Sequence, residues 1–233
     1  MPQFTLYGAR GSSNSDRIRL TLAEAGFTDY DYVLLNLLKG EQKHTLTSKS
    51  PEHLARHPWG KVPVVTFPDG LVLYESRAIS KHLARSHAPH LLPRSDDPVS
   101  EALFDQAQSV ETLYFAEPAG RIAFEKFAKR LLSLPTDEAA VDASLKALNQ
   151  YFDVAEKLLH RNEYMAGPGL SLVDIFYIPL VQRLFLCGYG DELVLQRPAV
   201  CAWWQRVTAR PGIAALLAAD KEAAAAAMAA AQA

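Results

Sequence analysis

Cysteine is nearly absent from this 233-residue chain, and the two present, Cys187 and Cys201, both fall late in the sequence. Thiols so few and so placed argue against a disulfide framework and against a cysteine-rich metal site. Both are expected to be buried fillers in helices. An excess of either charge is also lacking, since 24 Lys and Arg face 26 Asp and Glu, for a formal net charge of −2. No global field is available to draw in nucleic acid or an anionic lipid surface. Uncharged apolar runs long enough to span a bilayer are missing, and Met1-Pro2-Gln3-Phe4 has no basic segment followed by an apolar one. These absences lead to the expectation of a cytoplasmic protein with neither a nucleic-acid nor a membrane partner. What is abundant is hydrophobic sequence, 49% of the chain, enough for one large domain or two modest ones.

The first third alternates strand and helix signals. Gln3 to Tyr7 reads as a short strand and Gly8 to Ser13 as a small-residue turn. Asn14 to Ala25 reads as a helix whose Ile18, Leu20, Leu22 and Ala25 suit a buried face, with Gly26 as its stop. Tyr30 to Leu35 is a buried strand. After a long polar stretch, Val62 to Thr66 and Leu71 to Tyr74 form a hairpin around Pro68-Asp69-Gly70, where proline presets φ and glycine permits positive φ. Ser76 to Arg85 follows as a helix, with Ser76 placed to cap its first turn. Pro89, Pro93 and Pro98 and the polar run Arg94 to Asp97 mark a linker, which divides the chain into residues 1–87, a linker at 88–99, and residues 100–233.

Beyond the linker strand signals nearly vanish, so the second domain is expected to be all-helical. Val141 to Leu159 carries a long helical pattern, and Ser171-Leu172-Val173-Asp174 opens another helix as a capping box. That helix, Val173 to Leu186, is apolar on most sides, which places it centrally. The alanine-rich tail from Ala214 reads as a helix that frays.

Few residues stand out chemically on their own. Ser12, Ser13 and Ser15 sit where a turn enters a helix, Glu75-Ser76 where a strand meets one, and Val62-Pro63 at a strand edge. Each group has an ordinary reading as cap, turn or strand end. His53 and His57 have i,i+4 spacing with His44 nearby, but no acid or thiol cluster completes a metal site, so all three are read as loop residues and no metal is expected. Gly8-Ala9-Arg10-Gly11 follows a strand but lacks the third glycine and the later acid of a dinucleotide fingerprint, Asn36 standing at the end of the next strand. A nucleotide cofactor is rejected.

Taken in order, Leu6-Tyr7-Gly8 with a serine shortly after, Gly40-Glu41-Gln42-Lys43, Pro58-Trp59-Gly60-Lys61-Val62-Pro63, Leu73-Tyr74-Glu75-Ser76-Arg77-Ala78-Ile79, the capping box and Arg197-Pro198…Trp203-Trp204 make the chain resemble the glutathione transferases, specifically the phi-like class of plants and fungi. The resemblance covers nearly the whole chain. It implies an α/β thioredoxin-like N-terminal domain plus an all-α C-terminal domain, usually as a homodimer, with glutathione as co-substrate and no cofactor. The implied activity is transfer of glutathione, as thiolate, to a hydrophobic electrophile in detoxification, with glutathione-dependent peroxidase chemistry as a second reaction. A non-catalytic, ligandin-like carrier of apolar molecules is the alternative.

The resemblance also assigns residues. Aligned on Leu6-Tyr7-Gly8, the thiolate-stabilising serine falls on Ser12, with Ser13 and Ser15 as rivals. Glu75 and Ser76 would hold the ammonium and carboxylate of the γ-glutamyl end, and a cis Val62-Pro63 would present backbone to the cysteinyl part. Gln42, Lys43 and Lys61 would meet the glycyl carboxylate. Gln42 stands where many phi-like members have histidine, and about six extra residues near Thr45 to Ser50 lengthen the following loop. Tyr114, Phe115 and Phe124 fall where the family builds its electrophile pocket. Thiol transfer through a mixed disulfide needs a cysteine at the start of the first helix, and none precedes Cys187.

Overall fold

The computed structural model describes residues 2–36 and 50–230. Among these residues the N-terminal part is a sheet of order β2-β1-β3-β4, comprising β1 (Thr5–Gly8), β2 (Asp31–Leu34), β3 (Val64–Thr66) and β4 (Val72–Tyr74). β1 runs parallel to β2 and antiparallel to β3, with Leu6 opposite Val65, and β3 pairs antiparallel with β4. A parallel pair needs a crossover, which α1 (Ser13–Glu24) supplies. The β3–β4 turn forms where Pro68-Asp69-Gly70 predicts it: Phe67 N–H donates to Leu71 carbonyl at 2.9 Å and Gly70 takes φ 90°. β3 begins at Val64, two residues later than the sequence pattern suggests, because Pro63 has no N–H to donate to the ladder.

One apolar cluster joins the sheet to its helices. Leu6 and Val65 pack with Ile18 and Leu22 of α1 and with Ile79 and Leu83 of α3 (Ser76–His87), each helical pair at i,i+4 spacing. Leu20 turns the other way, into the core of the helical domain. The helix α1 is therefore buried on two sides, which is why its apolar positions do not fall into a single stripe.

A 3-10 turn at Pro89–Leu91 leads toward α4 (Pro98–Val110). Pro98, read from sequence as part of the linker, is instead the first residue of this helix. Asp97 caps it, accepting from the Ser100 N–H at 3.0 Å and the Ser100 hydroxyl at 2.6 Å, and proline suits a position whose N–H has no partner. Helical geometry then continues through residue 131, as α5 (Ala116–Ile122) and α6 (Lys129–Leu131) separated by π-helical segments at Glu111–Phe115 and Ala123–Ala128. α7 (Glu138–Leu159), α8 (Leu172–Leu186), α9 (Pro198–Thr208) and α10 (Pro211–Ala230) complete the domain.

Every residue of α8 from Leu172 to Val181 is buried, as its all-round apolar sequence predicts. Its capping box is complete, with the Ser171 hydroxyl accepting from Val173 N–H at 3.2 Å and Asp174 accepting from Ser171 N–H at 2.9 Å. Asp174 does more than cap. It is fully buried and also accepts from Met165 N–H and from the Trp203 indole N–H, both at 2.9 Å, so it joins three parts of the domain. The two cysteines depart from expectation: Cys187 follows the last residue of α8, Cys201 lies in α9, and both are half-buried. The alanine-rich tail belongs to α10, which is fastened to α1 by a two-pronged pair between Arg19 and Asp220 at 2.7 and 2.8 Å.

Removing the Asp174 carboxylate strands buried donors, each worth about 1–3 kcal/mol when unsatisfied. Asp174→Ala is therefore expected to lose at least about 3 kcal/mol in urea unfolding, against about 1 kcal/mol for Ser171→Ala. Equal losses in the two variants would reduce Asp174 to an ordinary cap.

Candidate active site

The site is built where two helices begin. After β1 the chain turns through Ala9 to Ser12, closed by the Ser12 N–H donating to the Ala9 carbonyl at 3.2 Å, and Gly11 adopts φ 72°. Ser12 caps α1, its hydroxyl oxygen accepting from Ser15 N–H at 3.3 Å. Ser15 is fully buried, and its own hydroxyl accepts from Ala9 N–H at 3.2 Å, pinning the turn. The same hydroxyl explains Gly8, where an added Cβ would lie 2.9 Å from it and 2.7 Å from the Tyr32 ring. Of the three rival serines, Ser12 and Ser13 line a cleft of about 500 Å³ and Ser15 does not.

The second helix start belongs to α3. Sequence reading makes Ser76 its cap, but the residue in the N-cap position is Glu75, at φ 72° and with no side-chain cap bond. A non-glycine residue held at positive φ is strained, and such residues gather at ligand sites. Ser76 is the first helical residue, buried, and its hydroxyl accepts from the Arg17 guanidinium at 3.4 Å rather than from the helix backbone.

Arg17 brings the two starts together. Reaching from α1, its guanidinium donates to Asn14, to Ser76 and, at 3.1 Å, to the Phe176 carbonyl of α8, and it lies 3.6 Å from Glu111. Glu111 is fully buried and receives both prongs of Arg77, at 2.6 and 2.8 Å. One carboxylate thus sits between two guanidiniums. Burial, with the nearby positive charge of Arg77, lowers the Arg17 pKa to about 10, which leaves it cationic at neutral pH. The trio therefore carries one net positive charge. Sequence reading finds none of the three; Arg77 directly follows Glu75-Ser76, but nothing in the spacing connects it with Glu111.

The hairpin side holds Lys61, Val62 and Pro63. The Val62–Pro63 peptide bond is cis, both residues are buried, and the Lys61 side chain is exposed. His53, expected in a loop, lies in the short helix α2 (Pro51–Arg56), fully buried, with Nε2 2.7 Å from the Lys61 carbonyl. His57 is likewise buried, its ring 4.9 Å from that of Tyr74. α2 escaped detection because it is short, although Ser50 as cap and Pro51 at the first position are helix-start signals. Gln42 and Lys43, like His44 and the extra residues Thr45 to Lys49, lie outside the described residues. Among the described residues no three His, Cys, Asp or Glu side chains are grouped to hold a metal.

The far wall of the cleft is mainly apolar and comes from the helical domain, with Phe124, Phe127 and Leu180. The three aromatics expected to form an electrophile pocket are separated. Phe124 lines the cleft. Phe115 is 0% exposed and packs in the core, 4.7 Å from Tyr177 and 5.5 Å from Tyr151. Tyr114 is 63% exposed and outside the cleft lining. The resemblance assigns all three, and the π-helical segments that carry them decide which of their residues face inward. Phe127, Leu180 and Arg183 also line the cleft, and no local sequence signal marks them, because their neighbours there are distant in sequence.

Neutralising Glu111 leaves Arg17 and Arg77 facing each other with the charge between them removed. Glu111→Gln is expected to cost about 3–5 kcal/mol in urea unfolding. A loss below about 1 kcal/mol would mean that both guanidiniums find other partners.

Comparison with known proteins agrees with this geometry. The model of the glutathione S-transferase N-terminal domain matches residues 2–85, and that of the C-terminal domain matches residues 107–211. The chain is 36% identical to glutathione S-transferase 1 of Zea mays over 91% of this chain and 95% of that protein. It is 32% identical to glutathione S-transferase hmp2 of Hypomyces subiculosus over 88% and 93%. Among solved structures, glutathione S-transferase I from maize in complex with an atrazine glutathione conjugate superposes with a TM-score of 0.83 at 35% identity, covering 94% of this chain and 98% of that one. With its two helix starts meeting beside a cleft and both domain models matched in order, the chain belongs to the glutathione S-transferase family.

Proposed function

We propose that this phi-like transferase holds the glutathione sulfur as a thiolate through a hydrogen bond from Ser12 and directs it at a hydrophobic electrophile bound against Phe124, Phe127 and Leu180. The observation that carries this reading is the position of Ser12, which caps α1 and lines the cleft opposite those apolar residues. A thiol of pKa about 8.5 is only a few per cent ionised at neutral pH. Lowering it by about two requires roughly 2.7 kcal/mol, within reach of one hydroxyl donor to a charged sulfur together with a helix N-terminus. The Ser12 oxygen already accepts from Ser15 N–H, which leaves its O–H to donate. No general base is needed for a group whose task is to stabilise an anion already formed.

The peptide is gripped at its ends. The γ-glutamyl carboxylate meets the N-terminus of α3 and the Ser76 hydroxyl, with the Arg17 guanidinium behind it, and the ammonium meets Glu75, whose side chain is exposed. The cysteinyl part lies along Val62 and Pro63. Lys61 answers the glycyl carboxylate, together with Gln42 and Lys43. The thiolate then forms the carbon–sulfur bond while the leaving group departs with its electron pair; with a peroxide, the same thiolate attacks one oxygen, the O–O bond breaks, and the other oxygen leaves as alkoxide or hydroxide with the electron pair. Glutathione is consumed as co-substrate and no cofactor enters. A maize relative was solved with an atrazine glutathione conjugate, which supports a cleft of this kind accepting a bulky apolar partner. The ligandin-like alternative is not favoured, since the relatives are named as transferases. The protein is read as a cytoplasmic homodimer working in detoxification.

Binding and activation should separate under mutation, because only Ser12 meets the sulfur. Ser12→Ala is expected to keep glutathione affinity within a few-fold while raising the bound thiol's pKa by roughly one to two, so that conjugation falls at neutral pH and partly returns in alkali. Thiolate absorbance and the pH profile of conjugation, for wild type, Ser12→Ala and Ser13→Ala, are the measurements. A shift confined to Ser13→Ala would transfer the role by one residue, and no depressed thiol pKa in the wild type would sink the mechanism.

Glu75→Ala is expected to weaken glutathione binding by about 1–3 kcal/mol in calorimetry while sparing the unfolding midpoint, since alanine keeps the Cβ and so leaves the strain at positive φ unchanged, and the Glu75 side chain makes no hydrogen bond among the described residues. Unchanged affinity would return Glu75 to a strand-end role.

A further inference from the structure

Among the described residues, the charged side chains lining the cleft are three arginines, Arg17, Arg77 and Arg183, with no carboxylate. Arg17 and Arg77 share Glu111, but Arg183 has no such partner: among the described residues no carboxylate forms an ion pair with it. The acid that influences it is Asp16, whose carboxylate is taken by Arg19 at 3.1 Å. Arg183 reaches from α8 to the turn before α1, where Nη2 donates to the Gly11 carbonyl at 2.8 Å. Its guanidinium lies over the Phe127 ring, 4.1 Å from the centroid. The approach to Gly11 is close enough that a Cβ there would lie 3.2 Å from Nη2.

A guanidinium carries five N–H donors, and here a backbone carbonyl uses one. The stacking ring restricts its orientation but supplies no countercharge of its own. Burial draws its pKa below the usual arginine range, with Asp16 opposing in part, so the cation is partly stripped of water. A half-buried cation without a paired anion has capacity for one, and fork geometry matches a carboxylate. The ends of glutathione have other partners, at Ser76 and Glu75 and on the hairpin side. Arg183 stands instead beside Phe127, on the wall given to the second substrate, bonded to the turn that ends at Ser12.

We propose that Arg183 is a specificity-determining residue, favouring electrophiles that bear a carboxylate within about one aromatic ring's length of the reacting carbon. The inference rests on the reading of the Ser12 cleft given above. In the reaction that tests it, the glutathione thiolate displaces chloride from a benzylic carbon: the carbon–sulfur bond forms, the carbon–chlorine bond breaks, and chloride leaves with the electron pair. The two probes are 4-(chloromethyl)benzoate and its methyl ester, which share the reacting carbon and leaving group and differ in charge.

The wild type is expected to prefer the carboxylate over the ester, relative to their uncatalysed rates, and to lose that preference progressively as salt is raised. Arg183→Met should lower the carboxylate-to-ester ratio of kcat/KM about tenfold or more, and Arg183→Lys should lower it less, since charge remains without the fork. An unchanged ratio in Arg183→Met, including a parallel fall for both probes, would overturn the proposal and leave Arg183 as a strut for the Gly11 turn. A salt-independent preference in the wild type would overturn it as well, without recourse to any variant. Loss of bound-thiolate absorbance in Arg183→Met would assign the charge to the sulfur instead, and would also overturn it. The Ser12 reading is judged separately, by that absorbance in the wild type, so the two can fail independently.

Discussion

The guanidinium of Arg17 joins the two helix starts of the site to the helical domain. It is 2% exposed, and it binds Asn14 in the first turn of its own helix, Ser76 at the start of α3, the Phe176 carbonyl of α8, and Glu111 in the long helical run beyond the linker. Burying such a group is costly, and a buried ion pair often does no more than recover the desolvation it incurs. Its contribution is therefore better sought in geometry than in net stability. Two helix N-termini must converge if one ligand is to have its sulfur at Ser12 and its γ-glutamyl end at Ser76. Hydrophobic packing between α1 and α3, through Ile18, Leu22, Ile79 and Leu83, brings the helices together but is not directional. The hydrogen bonds of Arg17 fix where along their lengths they meet.

Glu111 makes this arrangement possible. Without it, Arg17 and Arg77 would bring two positive charges into one buried region beside the cleft. With it, one net charge remains, held by a carboxylate that Arg77 binds through two prongs. Because Glu111 belongs to the helical domain and Arg17 and Arg77 to the thioredoxin-like one, the same contact joins the domains at the place where their walls form the cleft. Leu20, turned into the helical core from the middle of α1, makes the apolar part of that joint.

The distribution of what sequence could reveal follows from the range of each interaction. Elements governed by local chemistry were legible: the Pro68-Asp69-Gly70 turn, the Ser171–Asp174 capping box and the all-round apolar α8 each carry their cause within a few residues. Of what the family resemblance implies, the cis Val62–Pro63 bond is present and Ser12 lines the cleft. Where the determining partner is remote, sequence was silent. Ser76 looked like a cap because serine before a helix usually is one, and only the arrival of Arg17 from 59 residues away gives its hydroxyl another acceptor role. Pro98 looked like a linker residue because proline at a helix start and proline in a linker read alike until Asp97 is seen to cap. Phe115 and Tyr114, assigned by the family resemblance, lie outside the cleft lining while Phe127 lies in it; all three sit on π-helical segments, whose turns a motif alignment does not resolve.

In the reaction proposed for this cleft, a hydroxyl donor is sufficient to stabilise the thiolate. A stronger acceptor or a full base beside the sulfur would bind the proton that has to leave, whereas a donor at a helix N-terminus stabilises only the anion. The donor must stay aimed, since a hydroxyl free to rotate would exchange its bond to sulfur for one to water. In this chain the Ser12 oxygen is already held by Ser15 N–H, Ser15 is held by Ala9, and Gly11 supplies the positive φ that lets the turn close. Arg183 then holds the outer side of that turn through the Gly11 carbonyl. The turn is thus held by a chain of ordinary hydrogen bonds, each fixing the next, and it ends on the Ser12 hydroxyl.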